Sequence, residues 1–493
     1  MKNSKEYASE TSLQWNSIDW NLMEKKVKTL QARIVKAQQA RQHRKVCSLQ
    51  WILTNSFAAK ALAVRKVTSN AGKRTAGVDG VIWSTDASKM KAIQLLRRKG
   101  YRPLPLRRVY IPKSNGKKRP LSIPCMKDRA MQALYLMSLD PIGETVADKN
   151  SYGFRPKRSC ADAIEQCFQR LASKIAPTWV LDADIKGCFD NISHQWLLEN
   201  IPMDKRMLRL WLNGKIIDGQ TLFHSQSGTP QGGIISPWLA NMVLNGMETV
   251  LDTIANRKYN KQGEVSQNKF KVYLCRYADD FIITANDDNF LKEKVIPAIE
   301  AFLQPRGLAL SPEKTHIKHI EEGFDFLGQN IRKYKGNLFV TPSKKNMEAV
   351  KKKIKTIISN NKAAPQSLLI HLLNPVIRGW ANYHRHVSSK KTFNDLDHYI
   401  FSSLWNWSRR RHTEKSLKWI KRKYFLEIGG NKWTFACFTC SKLVRIQFAL
   451  AIPIKRHLKI KGYANPYSKD WQEYFDKRKN THRLMPSQLK LKF

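Results

Sequence analysis

The sequence predicts an α+β protein, with helices at the start, an alternating strand-and-helix core, and basic helices toward the end. Three observations carry this expectation. Apolar residues recur at helical spacing in the first 70 residues. From about 95 to 340, short β-rich runs alternate with helix-like ones, as in a sheet covered by helices. After Pro342 the chain turns to amphipathic segments studded with lysine. With 493 residues, 42% of them hydrophobic, the chain is long and apolar enough for three or so domains with cores of their own. Its 87 Lys and Arg against 39 Asp and Glu leave a formal charge of +48, which suits a polyanion far better than a small metabolite.

Met23, Val27, Leu30 and Ile34 mark the first helix, and Val46, Leu49, Leu53 and Phe57 begin a second run. Lys73-Arg-Thr-Ala-Gly-Val-Asp-Gly80 breaks the pattern with glycine. Residues 256–269 are polar and read as an exposed loop. Beyond Pro342, Met347, Val350, Ile354 and Ile357 form the apolar stripe of a helix, while Lys344, Lys345, Lys351, Lys352, Lys353 and Lys355 cover its other faces. In the basic block 380–424, Trp380, Trp405, Trp407 and Trp419 read mostly as helical core. From about 430 the chain stays basic with little periodicity. The eight cysteines are scattered, which fits a reducing compartment. Cys437-Phe-Thr-Cys440 has the spacing of half a zinc site, but no second pair follows, so it reads as two ordinary thiols. With no signal-peptide core and no apolar run long enough to span a bilayer, a soluble, intracellular protein is expected, with no membrane partner.

The chemistry is expected at Tyr277-Ala278-Asp279-Asp280. Val272, Tyr273 and Leu274 before it, and Phe281, Ile282 and Ile283 after it, read as the arms of a β-hairpin with two acids at its tip. Adjacent carboxylates repel and are costly to desolvate, so they stabilise little unless a cation neutralises them. Hard oxygen ligands point to Mg²⁺. A solvated Asp-Asp turn is the plain alternative. It is outweighed by a second acidic strand, Trp179-Val-Leu-Asp-Ala-Asp-Ile-Lys-Gly-Cys-Phe-Asp190, in so basic a chain. In a strand Val180, Asp182 and Asp184 share one face and Leu181, Ala183 and Ile185 the other, and spacing leaves both Asp182 and Asp184 open as the ligand. Strand and turn together bring three carboxylates to one point, an arrangement that holds two Mg²⁺ ions for nucleotidyl transfer.

These motifs resemble the reverse transcriptase–maturases encoded by mobile group II introns, of the bacterial and cyanobacterial chloroplast-like type. The resemblance runs along nearly the whole chain. Thr75-Ala-Gly-Val-Asp-Gly80 is similar to the N-terminal extension motif and Leu106-Arg-Arg-Val-Tyr-Ile-Pro-Lys-Ser-Asn-Gly-Lys-Lys-Arg-Pro-Leu121 to the fingers hairpin. Ser151-Tyr-Gly-Phe-Arg-Pro156, the Asp184 strand, Gly228-Thr-Pro-Gln-Gly-Gly-Ile-Ile-Ser-Pro237 and the Tyr-Ala-Asp-Asp turn follow in order. Leu310-Ser-Pro-Glu-Lys-Thr315 and Gly323-Phe-Asp-Phe-Leu-Gly328 close the polymerase core, and Asn374-Pro-Val-Ile-Arg-Gly-Trp-Ala-Asn-Tyr383 resembles the maturase thumb signature.

The resemblance implies a right-hand polymerase: an N-terminal helical extension over 1–95, fingers and palm over 96–340, a helical thumb or maturase domain over 341–429, and a small DNA-binding region over 430–493. It implies Asp184, Asp279 and Asp280 as catalytic ligands of two Mg²⁺ ions, with the backbone carbonyl of Ile185 as a further ligand and Asp182 as a neighbour. Phe189 would exclude a 2′-hydroxyl and so select dNTPs. Lys113, Arg119 and Gln231 would contact the dNTP, and Lys314 would protonate leaving pyrophosphate. Lys351, Lys352, Lys353, Arg378, Arg409, Arg410 and Arg411 would grip nucleic acid through phosphates.

The partners implied are group II intron RNA, a DNA target, an RNA template–DNA primer duplex and dNTPs. The setting implied is a bacterial cytoplasm or nucleoid, or an organelle. Relatives that continue into an HNH endonuclease have Cys pairs that this chain lacks, so no bottom-strand nuclease is expected. Two other readings share the palm motifs. One is a stand-alone, defence- or CRISPR-associated reverse transcriptase, against which the signature at 374–383 speaks. The other is a non-enzymatic splicing factor, against which the intact acids speak.

Overall fold

The computed structural model describes residues 14–112, 116, 118–224, 227–259 and 265–484. Asp19 caps the first helix, Trp20–Gln39, by accepting from the Leu22 amide. The second run divides. Helix His43–Asn55 ends at Ser56, whose extended backbone breaks it and whose hydroxyl accepts from the Ala59 amide to start Phe57–Ser69. Phe57, expected to extend the stripe, therefore opens a new helix and is 42% exposed. These helices pack on the long helix Met126–Val146, and Leu53, Val64 and Leu134 belong to the largest core.

Two four-stranded sheets follow. In the first, Leu106–Pro112 lies between Lys118–Ile123 and Lys215–Asp218, with Thr221–His224 at the edge. The second is antiparallel throughout, in the order His316–His319, Trp179–Asp184, Asp280–Ala285, Tyr273–Tyr277. Alternation gives it two different faces. Leu181, Ala183, Phe281 and Ile283 enter the largest core. Val180, Cys275 and Ile282 on the other face enter a second core with helix Cys160–Leu171 and the sheet of Phe324–Phe326, Gln329–Tyr334 and Asn337–Pro342. That second face changes from apolar to acidic along its length, ending in Asp182, Asp184 and Asp280.

Ser343 caps helix Lys344–Asn360, which packs with Gln366–His384 and Lys390–Arg410 around Val350, Ile354, Leu369, Ile377, Leu396 and Leu404. Trp407 is buried there, Trp380 and Trp405 are partly so, and Trp419 is 36% exposed. The stretch beyond 424 holds more order than its sequence suggests. Phe425–Ile428, Asn431–Thr439 and Lys442–Arg445 form a sheet that runs across the boundary expected at 429/430, where Gly429 and Gly430 make the turn at positive φ. Phe435 and Ile446 seat it on the helical core. The chain then returns to the other sheet. Ile460 and Ala464 are buried in the second core, and Asp162 takes His457 Nε2, the Ile460 amide and Arg478 Nη2, each at 2.8 Å. In the stretch expected to be a loop, Lys258–Tyr259 pairs with Val265–Gln267. Among the described residues no helix is long and apolar enough to cross a membrane.

Candidate active site

Asp184 stands directly opposite Asp280 on the neighbouring strand, and Asp182 opposite Ile282. Tyr277 pairs with Asp280, so Ala278 and Asp279 alone form the hairpin turn, with Ala278 at φ +60°. The alternatives that spacing left open thus have different surroundings. Asp184 meets Lys314 Nζ at 2.6 Å, while Asp182 meets Lys318 Nζ at 3.4 Å. Ile185 bridges to Leu310, and the Ser311 amide donates to the Asp184 carbonyl, so the 310–314 turn is laced to the acidic strand.

Burial, then the charges of Asp182, Asp184 and Asp279, push Asp280 up to about 7. Burial and the Asp184 charge raise Asp279, against the pull of Arg119 and Lys314. The hydrogen bond to Asp184 raises Lys314 in return. Carboxylates that raise one another are short of positive charge, and three hard oxygen donors suit Mg²⁺. The donor set therefore fits the ion. Among the described residues, however, no three acidic, His or Cys side chains already stand at ligand spacing, and Asp184 faces the Lys314 ammonium instead.

Two residues that sequence reasoning passed over hold this turn. Arg276 is fully buried, and its guanidinium donates to the Ala278 carbonyl at 3.1 Å and to the side-chain oxygens of Asn241 at 3.3 Å and Asn245 at 3.1 Å. Burial lowers its pKa to about 10, so it stays charged near neutrality. Gly153 lies against the turn so closely that a Cβ there would stand 2.4 Å from the Ala278 nitrogen. The signal for Arg276 was a lone charge in an apolar strand. Gly153 left none beyond its motif.

Arg119 Nε donates to Gln231 Oε1 at 3.0 Å, and Gln231 Nε2 donates to both Asp190 oxygens, at 3.1 and 3.0 Å. The structure thus joins two expected nucleotide contacts and adds Asp190, which was not expected. Phe189 is half-buried on the largest core, and its carbonyl accepts from the Thr229 amide at 2.7 Å. Gly228, at φ +80°, permits that approach, since a Cβ would meet the Phe189 oxygen at 2.5 Å. Lys113 lies outside the described residues.

The expected nucleic-acid contacts differ among themselves. Lys352, Lys353, Arg378, Arg409 and Arg410 are exposed. Lys351 is half-buried, its ammonium 5.3 Å from the Tyr399 ring centre. Arg411 donates to the Lys362 and Ala364 carbonyls at 2.9 and 2.7 Å and lies 4.5 Å over Trp407, so its guanidinium serves the helix packing. Cys437 and Cys440 are free thiols, half-buried and exposed.

An antiparallel sheet that sets an acidic hairpin turn against an acidic neighbouring strand, tied through Arg119 and Gln231 to a second hairpin, defines a nucleotidyl-transferring palm. Comparison with known proteins agrees. Residues 111–331 match the reverse transcriptase (RNA-dependent DNA polymerase) family, 15–96 the N-terminal domain of reverse transcriptase, and 347–425 the group II intron maturase-specific domain. Protein YkfC of Escherichia coli is 35% identical over 55% of this chain and 79% of its own length. The group II intron-encoded protein LtrA of Lactococcus lactis is 31% identical over 55% of this chain, which spans only 54% of that relative. An uncharacterized 91 kDa protein in the cob intron of Schizosaccharomyces pombe is 27% identical over 69% of this chain and 51% of its own length. The chain belongs to the group II intron reverse transcriptase–maturase family.

Proposed function

We propose that the protein is an RNA-directed DNA polymerase that binds a group II intron RNA, promotes its splicing and copies it into DNA during retrohoming. The observation that carries the polymerase is Asp184 facing Asp280, with Asp279 in the adjoining turn. These three carboxylates and the Ile185 carbonyl would hold two Mg²⁺ ions. Bound there, Mg²⁺ supplies the Lewis acidity that activates a primer 3′-hydroxyl and steadies the charge of the triphosphate. The new bond joins the 3′-oxygen to the α-phosphorus, and pyrophosphate leaves.

The chain's own groups do the rest. Arg119 binds a phosphate oxygen of the dNTP, with Lys113 as a second cation. Asp190 holds the Gln231 amide so that its carbonyl stays turned to Arg119. Phe189 fills the space a 2′-hydroxyl would need. Lys314, already paired to Asp184, stands to give a proton to pyrophosphate. Residues 1–95 act as the extension, 96–340 as fingers and palm, and 341–429 as the RNA-gripping thumb. Within 430–493, the sheet that exposes Phe438 and Leu443 beside Lys442 is the part offered to a DNA target. The setting is a bacterial cytoplasm or nucleoid, or an organelle.

The test pairs two assays on the purified protein. One is extension of a DNA primer on an RNA template with Mg²⁺. The other is splicing of the RNA transcribed from around the gene. Both are expected to succeed. Failure of extension ends the polymerase reading, while extension without specific RNA binding points to a stand-alone reverse transcriptase.

A further inference from the structure

Residues 455–468 fall in the region expected to meet DNA, yet their polar groups are taken up by the rest of the protein. The Lys455 amide donates to the Arg385 carbonyl at 2.8 Å, just past the thumb helix Gln366–His384. From there the chain crosses to the palm. The Ile460 amide donates to Asp162 at 2.8 Å, and Ile460 and Ala464 are buried in the second core. Asn465 Nδ2 donates to Thr145 Oγ1 at 3.2 Å and the Tyr467 hydroxyl to Asp140, both on helix Met126–Val146. The segment is thus a strap from thumb to palm.

The strap also joins a buried ion cluster. Arg158 Nη2 donates to the Gly462 and Ala464 carbonyls at 3.4 and 3.2 Å, and its Nη1 donates to Glu144 Oε2 at 2.8 Å. Glu144 also takes Arg155 on its two oxygens, at 2.7 and 2.9 Å. Arg155 Nη1 in turn donates to the Asp148 and Ser151 carbonyls at 2.6 and 2.8 Å. These three side chains are at most 2% exposed, so the bonds are shielded from water and each fixes its partner firmly. The loop they hold lies against the catalytic hairpin. Ser151 bridges to Arg276, and the Tyr152 amide donates to the Arg276 carbonyl at 2.8 Å. Gly153 packs on the Ala278 nitrogen. Asn241 Nδ2 donates to the Gly153 carbonyl at 2.6 Å while its oxygen accepts from Arg276.

We propose that the strap is a positioning element of the polymerase: through Arg158, Glu144 and Arg155 it fixes the loop 151–153 on which the Asp279 turn rests. Packing alone would need only Ile460 and Ala464. A buried guanidinium that reaches the strap with one nitrogen and Glu144 with another fixes direction as well as proximity. The contacts run without a break from the Ala464 carbonyl to the Ala278 backbone, so a strap that comes loose frees the loop and lets the turn drift. Polymerisation is sensitive to such drift, because the turn carries the acids that face the reacting phosphate. The inference rests on the polymerase reading above and assigns part of 430–493 to that activity in place of DNA contact.

The test is primer extension by the full-length protein at a temperature where circular dichroism shows each variant folded, with kcat and the KM for dNTP measured separately. Arg158→Met detaches the strap from the cluster and leaves Glu144 paired to Arg155, so no buried charge is stranded. Asn465→Ala/Tyr467→Phe loosens the strap at helix Met126–Val146 and touches none of the cluster; it carries the test by itself should Arg158→Met not fold. Each is expected to lower kcat ~5- to 30-fold, with the KM for dNTP and the affinity for primer–template within ~2-fold. Combined with Gly153→Ala, either change should cost less than the product of the separate losses, since both displace the same turn. Wild-type kcat in either folded variant, a loss that falls on KM, or a purely multiplicative double variant overturns the inference and leaves the polymerase standing. So does weakened binding of a DNA duplex with extension unchanged, which would return the strap to DNA contact. If the wild-type protein extends no primer, the polymerase reading itself falls and this inference with it.

Discussion

At the catalytic end of the palm sheet Arg276 is wholly buried and Asp280 half-buried, whereas on helix Lys344–Asn360 the side chains of Lys352, Lys353 and Lys355 stand in solvent. On the proposed function both regions handle phosphate, yet they hold charge in opposite ways. In the palm a few groups are fixed by hydrogen bonds at set positions and desolvated, so each interacts strongly and tolerates little displacement. On the thumb many cations are exposed and screened, so each contributes little and their sum matters. Positioning a reacting atom needs the first arrangement; holding a long polyanion in several registers needs the second.

The contrast is sharpest in rate. Asp279→Ala is expected to lower primer extension by ~10³-fold or more, about 4 kcal/mol in the barrier, while RNA affinity stays within ~2-fold. Near-normal extension by this variant would remove Asp279 from the site. Next comes Gly153→Ala. Its Cβ would stand 2.4 Å from the Ala278 backbone nitrogen, so the turn must shift. A displacement of that kind is expected to cost ~10²-fold in polymerisation. Wild-type rates would show that the turn has slack and that burial there does not imply precision.

Phe189→Ala tests a side chain that packs against the core and is proposed to gate the nucleotide. Ribonucleotide use relative to deoxyribonucleotide use should rise ~10-fold or more, with a modest loss of dNTP use. An unchanged ratio would make Phe189 a packing residue only.

A buried acid away from the site checks the cost of burial itself. Asp140 has one oxygen buried without a partner and the other taken by the Tyr467 hydroxyl, and burial pushes it up to about 7. The folded protein then holds a proton that the unfolded chain releases near pH 4. Stability on this account is full below about pH 4 and declines as pH rises to about 7. Asp140→Asn should therefore gain on wild type between pH 5 and pH 8, by ~2 kcal/mol in chemical denaturation, because the amide cannot ionise. A gap that does not widen with pH would show that the carboxylate has found another source of charge.

The smallest expected effect is on the thumb. Changing Lys351, Lys352 and Lys353 singly to Gln should alter RNA affinity less than ~2-fold; together they should weaken it several-fold and lower the salt slope by about two to three. Lys351 should matter least, because its ammonium already lies over Tyr399. A single lysine that dominated would show that the thumb, like the palm, holds charge at a set position.

Much of this was legible beforehand. The alternation of strand 179–184 assigned Asp182 and Asp184 to one face, and the apolar arms around Asp279 and Asp280 announced the hairpin. The stripe through Val350 and Ile354 announced the thumb core. Each is a local pattern, because the period of a strand or helix reports which face of that element leaves water. Such a period does not say what covers the face. Nothing in 454–478 indicated that His457 and Arg478 would meet Asp162, some 300 residues away, since a hydrogen bond between distant residues leaves no periodic trace. Arg276 under the Ala278 carbonyl and Asp190 behind Gln231 belong to the same class. Residue types and their spacing determined the chemistry and the elements that carry it. The supports of that chemistry arose where chain segments far apart in sequence came together, because only packing decides which buried donor meets which acceptor.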